Sequence, residues 1–327
     1  MPLFINPKGF HYFFANISST LTYNKGINNE NNLLKSSRVS LLWETRRTSK
    51  LHHKLGYIYS GSQFNPLVGF VDRSNFHNYW GNISYGKFAT ERKGLFQYKR
   101  WTMLNFDTYQ NAETATWETI EIGSALQLRT FSGLQYSLGG TYHYEFLNET
   151  LDFGNDIIIQ PDKYRFYTLR FGMTPPQFKN IRLPIRTSFG QFFDGERFNL
   201  NISPTINLGK HWEWKSTYNF TYLKFAKKDI ERPIHILRTQ INYAFDLHFS
   251  LSYIGQYNSN VNQYFNNLRL RYNFKDGHDL YLVWNENFFE NRKVSEDLIR
   301  PLSGNQAFIL KYSYTFDKLL QRKSPNR

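Results

Sequence analysis

Residues 267–287 read NLRLRYNFKDGHDLYLVWNEN, and the fold turns on which way Arg269 and Arg271 point. Leu268, Leu270, Tyr272 and Phe274 alternate with Arg269, Arg271 and Asn273, the two-residue period of a strand with unlike faces. KDGHD then supplies turn residues, with Gly277 free to take a positive φ. Beyond it Leu280, Leu282 and Trp284 alternate with Tyr281, Val283 and Asn285, so the stretch predicts a β-hairpin. In a sandwich surrounded by water the leucines would face a core and the arginines would face solvent. In a membrane barrel the leucines would face lipid and the arginines a lumen. The period is the same in both, so the choice falls to the rest of the chain.

Composition leans toward the barrel. The 327 residues are only 40% hydrophobic, yet they include 30 Phe, 23 Tyr and 7 Trp, and the mean hydropathy is −0.57. So many aromatic residues exclude a disordered chain, while so little aliphatic bulk is low for a water-soluble chain of this length. A barrel reconciles the two, with a polar inner face, an apolar outer band and aromatic girdles at both interfaces. There is no cysteine, hence no disulfide framework or thiolate metal site. No run of 18 or more apolar residues is present, so no spanning helix is expected. The opening MPLFINPKGFHYFF lacks the basic-then-apolar build of a signal peptide. Because a barrel needs export, the expectation is a fragment, or the C-terminal part of a longer protein. The net charge of +14 comes from Lys and Arg scattered singly along alternating segments, which argues against nucleic acid as a partner.

About sixteen segments alternate in this way, at the spacing of an all-β chain. Residues 134–146, 198–208, 212–222 and 307–316 are the cleanest, and each is long enough to cross a bilayer at a tilt. Residues 94–108 and 181–193 switch face partway, and Pro184 predicts a bulge or an edge. The links alternate in length. Those at 274–278, 245–248, 208–211, 130–133 and 46–50 are tight. Those at 291–305, 258–264, 224–232, 147–162, 61–75 and 25–35 are longer and more polar, and only 109–113 and 193–196 break the rule. Short turns at one end and long loops at the other predict an antiparallel up-and-down transmembrane β-barrel of about sixteen strands. It would span residues 1–316, with a short polar tail at 317–327. A Greek-key sandwich would mix link lengths at both ends, and a propeller would repeat a blade motif.

Two stretches carry a family resemblance. FNPLVGFVDRSNF at 64–76 resembles the N-P-x-x-G-F-V-x-R loop of a bacterial outer-membrane family, and LRLRYNFKDGHDLYLVWNE with the terminal FILKYSYTF resembles its final three strands. Members of that family, mostly in Bacteroidota, pair an N-terminal carbohydrate-binding-module-like sandwich with a C-terminal barrel of largely uncharacterised function. The resemblance implies a bacterial outer-membrane location and supplies no catalytic residues. It also implies that Tyr314 and Phe316 end the last strand as the signal read by the barrel-insertion machinery.

By strand parity the lumen set includes Arg129, Arg170, Arg182, Arg186, Lys215, Arg238, Arg269, Arg271 and Lys311, against Glu44, Glu121, Glu145 and Glu213. Such an excess would bias a pore toward anionic or acidic-saccharide solutes, unless internal charge pairs fill the barrel. Gly69, Phe70 and Arg73 lie in an apolar run inside a long loop, placed either against the barrel wall or rim, or as a constriction or partner-docking element. Glu149, Asp152, Asp156 and Asp162 in loop 147–162 lack EF-hand spacing, and a solvated loop is the plainer reading. His143 lies beside Glu145 on the lumen face, where a Ser from a neighbouring strand would complete an acid–base pair. His52 and His53 are adjacent and would point to opposite faces. DFG at 152–154 has no kinase context. The expected role is therefore a channel or transport component, or the membrane anchor of an extramembrane domain, with no enzyme chemistry, cofactor or metal. Its expected partners are outer-membrane lipid, the insertion machinery and anionic or saccharide solutes. A filled structural barrel and a soluble extracellular carbohydrate-binding β-protein are the alternatives.

Overall fold

The structure is a computed structural model, and it describes residues 4–5, 10–20, 33–66, 73–154, 157–289 and 303–315. The chain is all-β. In order the strands are β1 (Phe4–Ile5), β2 (His11–Ser19), β3 (Ser37–Thr45), β4 (Lys50–Ser60), β5 (Phe76–Phe88), β6 (Phe96–Asn111) and β7 (Trp117–Thr130). Then come β8 (Gln135–Phe146), β9 (Leu151–Asp152), β10 (Ile158–Ile159), β11 (Lys163–Thr174), β12 (Ile181–Arg182), β13 (Ile185–Phe192) and β14 (Gly195–Ile202). The remainder are β15 (Thr205–Leu208), β16 (Trp212–Phe225), β17 (Ile230–Ala244), β18 (Phe249–Asn258), β19 (Gln263–Lys275), β20 (His278–Phe289) and β21 (Ser303–Tyr314). Among the described residues the one helical element is a 3-10 turn at Ala226–Lys228, and no helix is long and apolar enough to cross a membrane. The short pieces have local causes. Pro184 has no N–H to give a ladder and separates β12 from β13, and Pro204 does the same between β14 and β15.

Two compact units divide the chain. The first comprises Met1–Pro176, Arg186–Asn199 and Tyr222–Arg232. Within it β1 to β8 pair antiparallel in chain order, and β8 pairs with β11. Its two faces can be read straight across the ladders. Lys54, Asn82, Asn105, Gly123, Thr141 and Thr168 stand in one row, and Leu55, Gly81, Phe106, Ile122, Tyr142 and Tyr167 in the next row on the opposite face. The second unit comprises Gln177–Ile185, Leu200–Thr221 and Pro233–Arg327. There β12, β15 and β16 pair in turn, as do β17 through β21. Trp214 Nε1 donates to Thr239 Oγ1 at 2.8 Å and Ser216 Oγ to the Arg238 carbonyl at 3.0 Å, joining β16 to β17.

The hairpin that opened the problem is present, with Gly277 at φ 77° in its turn. Arg271 shares a row with Ala244, Ser250, Tyr281 and Lys311, whereas Leu270 shares one with Tyr243, Leu251, Leu282 and Leu310. The apolar row is the uncovered one, with Leu282 46% and Leu310 72% exposed. The first unit shows the same inversion. Leu138 and Tyr167 on its apolar face are 59% and 63% exposed, while Ser84 and Asn78 on its polar face are 0% and 2%.

Two expectations about links need correction. Residues 224–232 and 258–264 are not long loops. Strands β16 and β17 run on until only the 3-10 turn and Asp229 remain between them, and β18 and β19 close through four residues, 259–262. The backbone takes these tight corners with left-handed residues, Asp229 at φ 53° and Asn262 at φ 49°, and Asp and Asn are the non-glycine residues that tolerate that region best. Nor is 147–162 simply a solvated loop. It folds into the β9–β10 ribbon, in which Ile157 and Ile159 are buried. Phe166, Leu223 and Phe225 are buried as well, and among the described residues Phe64 and Phe76 are the only other large apolar side chains that join them.

Candidate functional site

The polar face of the first unit is built by small side chains and long cations. On β5 Trp80 lies across Gly56, where any Cβ would sit 2.2 Å from the indole. Lys54 sits over the same ring at 5.2 Å. Next to it Ser84 Oγ donates to Thr102 Oγ1 at 3.1 Å and accepts from Arg100 Nη2 at 3.2 Å. Arg170 on β11 donates to Thr141 Oγ1 on β8. Arg129 stacks by Tyr98 and Phe88, its guanidinium carbon 5.7 and 6.0 Å from their centroids. Arg197 stacks on Phe192 at 4.3 Å.

Charge is sorted along these strands. On β6, β7 and β8 the carboxylates lie in the half nearer the 112–116 and 147–162 links, and each has a polar partner, whereas Glu44 on β3 lies at the opposite end and pairs with Arg46 at 2.6 Å. Asp107 accepts from Asn78 at 2.6 Å, Glu118 from Asn111 at 3.0 Å, and Glu145 from Thr119 at 3.0 Å. Glu121 lies 3.0 Å from His143 Nδ1. Arg100, Arg129 and Arg186 lie toward the other ends of their strands, and Arg170 near the middle of its own. Among the described residues none of these four has a carboxylate within ion-pair distance, and the Nε atoms of Arg100 and Arg129 are buried without a hydrogen-bond partner. Outside the strands, Glu113 draws three links together. It lies 3.3 Å from Lys35 and accepts from Ser62 at 3.1 Å and Asn75 at 3.3 Å. Lys35, then Ser62, hold its carboxyl below the ordinary range.

In the second unit the polar face is partly neutralised. Lys215 pairs with Glu213 at 2.8 Å, and Arg271 with Asp279 at 2.8 Å. Asp279 lies on the neighbouring strand across the hairpin, so the partner of Arg271 is local. Arg269 covers the Tyr281 ring at 4.4 Å. Lys311 stands directly opposite Tyr281 and Arg238 opposite Gln256. Arg129, Arg170, Lys215, Arg238, Arg269, Arg271 and Lys311 thus all lie on the polar face of their own unit. Parity missed Arg100 because β6 shifts register between Thr102 and Asn105, a bulge that puts Arg100 and Asp107 on one face despite their odd separation. The sign of it was the change of face within 94–108.

Arg73 lies 4.6 Å over the Tyr109 ring and 4.0 Å from Glu118, whereas Gly69 and Phe70 fall outside the described residues, as do Asp156 and Phe316. Tyr314 ends β21, opposite His278, and the two rings meet edge-on at 4.3 Å. The pairing expected of His143 differs in the structure. Its Nδ1 faces Glu121, its ring stacks on Phe166 at 4.8 Å, and its buried Nε2 bonds no serine hydroxyl. His52 and His53 do point to opposite faces. His52 is in the polar row with Ser84, and His53 packs edge-on against Trp43 at 4.2 Å. Among the described residues no cluster of three His, Asp or Glu side chains is arranged to hold a metal ion.

No protein-family model matches the chain, and no curated protein matches it. The arrangement therefore has to be read from its chemistry, which is that of a polar wall with guanidinium groups in excess over the carboxylates that could neutralise them.

Proposed function

We propose that the chain forms a closed bacterial outer-membrane β-barrel whose polar face bounds a water-filled lumen, and that its unpaired arginines favour anions in that lumen. The observation that carries this reading is the inverted exposure of the two strand faces. Exposed Leu, Tyr, Trp and Phe crowd one face, while Ser84, Asn78 and Thr168 are buried on the other. In water each exposed apolar side chain would forgo about 25 cal/mol per Å², and an apolar surface of this extent marks a membrane or partner contact. Lipid against that face removes the penalty. Sixteen strands of eight or more residues would enclose a lumen wide enough for water. The resemblance of residues 64–76 and of the last strands to the Bacteroidota family fits the same location, and an anchoring role for a sandwich domain would be compatible with it.

A partly filled lumen is the second reading, supported by the buried side chains of Ile159, Phe166 and Phe225 and by the Lys215–Glu213 and Arg271–Asp279 pairs. Two measurements separate these readings. Detergent-purified protein should migrate differently on gels before and after boiling, and a monodisperse protein in plain buffer would reject the membrane reading. In planar bilayers under a salt gradient the reversal potential should have anion sign and should fall toward zero in Arg129→Glu. Cation preference, or no conductance, would reject the channel and leave the filled anchor.

A further inference from the structure

Two adjoining cavities open on the polar face of the first unit, of about 360 and 300 Å³. Gln127 and Ser137 belong to the walls of both. The first carries Arg100 and Arg170 together with the amides of Asn82 and Asn105, and the second carries Arg129 and Arg186 together with Gln135. No carboxylate lines either one. Gly123, Ala125 and Gly139 leave little side chain on the floor of the first, and Gly172 does the same in the second.

We propose that this double cavity is a binding site for an acidic disaccharide, with one sugar ring in each compartment and its oxyanions on the arginines. Both volumes lie at the lower end of small-molecule sites, about 300–1,000 Å³, the size for one ring apiece. Four guanidiniums with no carboxylate within ion-pair distance among the described residues can take an anion, and the planar fork of arginine suits carboxylate and sulfate alike. The unpartnered, buried Nε atoms of Arg100 and Arg129 are cationic donors that burial leaves costly until something accepts from them. An inorganic ion would use the arginines alone. The amides of Asn82, Asn105, Gln127 and Gln135, with the Ser137 hydroxyl, add paired donors and acceptors of the kind that ring hydroxyls require. A nucleotide fits less well, because Tyr98, the ring that the second compartment has on the polar face, is already packed by Phe88 at 4.5 Å and by Arg129, and its other tyrosine, Tyr136, belongs to the apolar face.

The site rests on the polar face being reached by water, as in the function proposed above, but its test does not require conduction. Calorimetric titration of the detergent-solubilised protein with digalacturonate, with a sulfated disaccharide and with neutral lactose reads binding directly, while conductance reads the channel. The expected result is binding of at least one acidic disaccharide at least tenfold tighter than lactose and weakening as salt is raised. The carboxylate and sulfate arms identify which oxyanion is preferred. Arg170→Gln with Arg186→Gln, both on exposed side chains, should lower affinity at least tenfold while leaving heat-modifiable migration unchanged, and Gln127→Ala should weaken it too. Equal binding of lactose, unchanged affinity in the double variant, or no binding of any disaccharide at millimolar concentration would overturn the proposal, whatever the conductance.

Discussion

Leu169 and Arg170 are adjacent on β11 and point to opposite faces, so exchanging their chemistry tests the membrane reading at a single place. Leu169 stands opposite Gly140 on the apolar face, is 48% exposed and lies within half a residue of the middle of Lys163–Thr174. If that face meets hydrocarbon, Leu169→Arg should cost about 2–4 kcal/mol, the value for a cation near the midplane. Met173 is on the same face four residues on. At about 3.4 Å per residue and a tilt of about 40° it lies roughly 10 Å nearer one edge of a band about 25 Å tall. Met173→Arg should therefore cost only about 0–1 kcal/mol. Arg170→Leu removes one hydrogen bond to Thr141 from an exposed side chain, a loss of about 1 kcal/mol. The assay is reversible denaturant unfolding in lipid vesicles, followed by tryptophan fluorescence. If the apolar face meets water instead, Leu169→Arg changes an already exposed position and should stay within about 0.5 kcal/mol. A cost that small in vesicles, or one that fails to fall between 169 and 173, would refute the reasoning.

Other consequences concern the turns and the buried side chains. Asp246 in the β17–β18 turn accepts from the backbone N–H groups of Phe249 and His248, both at 2.7 Å, and these two bonds hold its pKa below the ordinary carboxylate value. Because the folded pKa is the lower one, the stabilisation is complete above the unfolded value of about 3.9 and is lost as pH falls through the folded value. The stability gap between wild type and Asp246→Ala should therefore be constant from about pH 6 upward and narrow in acid, as read by unfolding at several pH values. Phe225 is fully buried, with its ring filling the space beside Gly195, so Phe225→Ala should cost about 3–5 kcal/mol in the same unfolding assay. Gly56→Ala would drive a methyl into the Trp80 indole and should cost about 1–3 kcal/mol, with a shift in tryptophan emission.

Much of this fold is legible in the sequence because a strand whose two faces meet different media must alternate. Residues 134–146 and 267–287 show it plainly, and the structure places Leu138, Tyr142, Leu270 and Leu282 on the faces that parity assigns. Parity fails where a residue is inserted, and the bulge in β6 hid Arg100 for that reason. Link composition misled at 224–232 and 258–264, since polar residues such as Lys228, Asp229 and Asn262 also serve tight left-handed corners. The partner of Arg271 was missed because Asp279 reads as a turn residue, although the hairpin register brings the two together. The infolding of 147–162 had a local sign in the run Ile157, Ile158 and Ile159, which a solvated loop has no use for. The joined cavities carried no such sign, because they draw on five strands, β5, β6, β7, β8 and β11, with Arg186 added from β13.

The most direct test of the central claim is the medium that each face of one strand meets. The chain has no cysteine, so Ser137→Cys and Leu138→Cys, neighbours on opposite faces of β8, each provide a single reporter thiol. In proteoliposomes, position 137 should react with a small water-soluble maleimide and be shielded from a lipid-phase one, and position 138 should show the opposite preference. Equal reaction of both positions with the water-soluble reagent, or the reverse pattern, would contradict the barrel with its apolar face in lipid and its arginines in water.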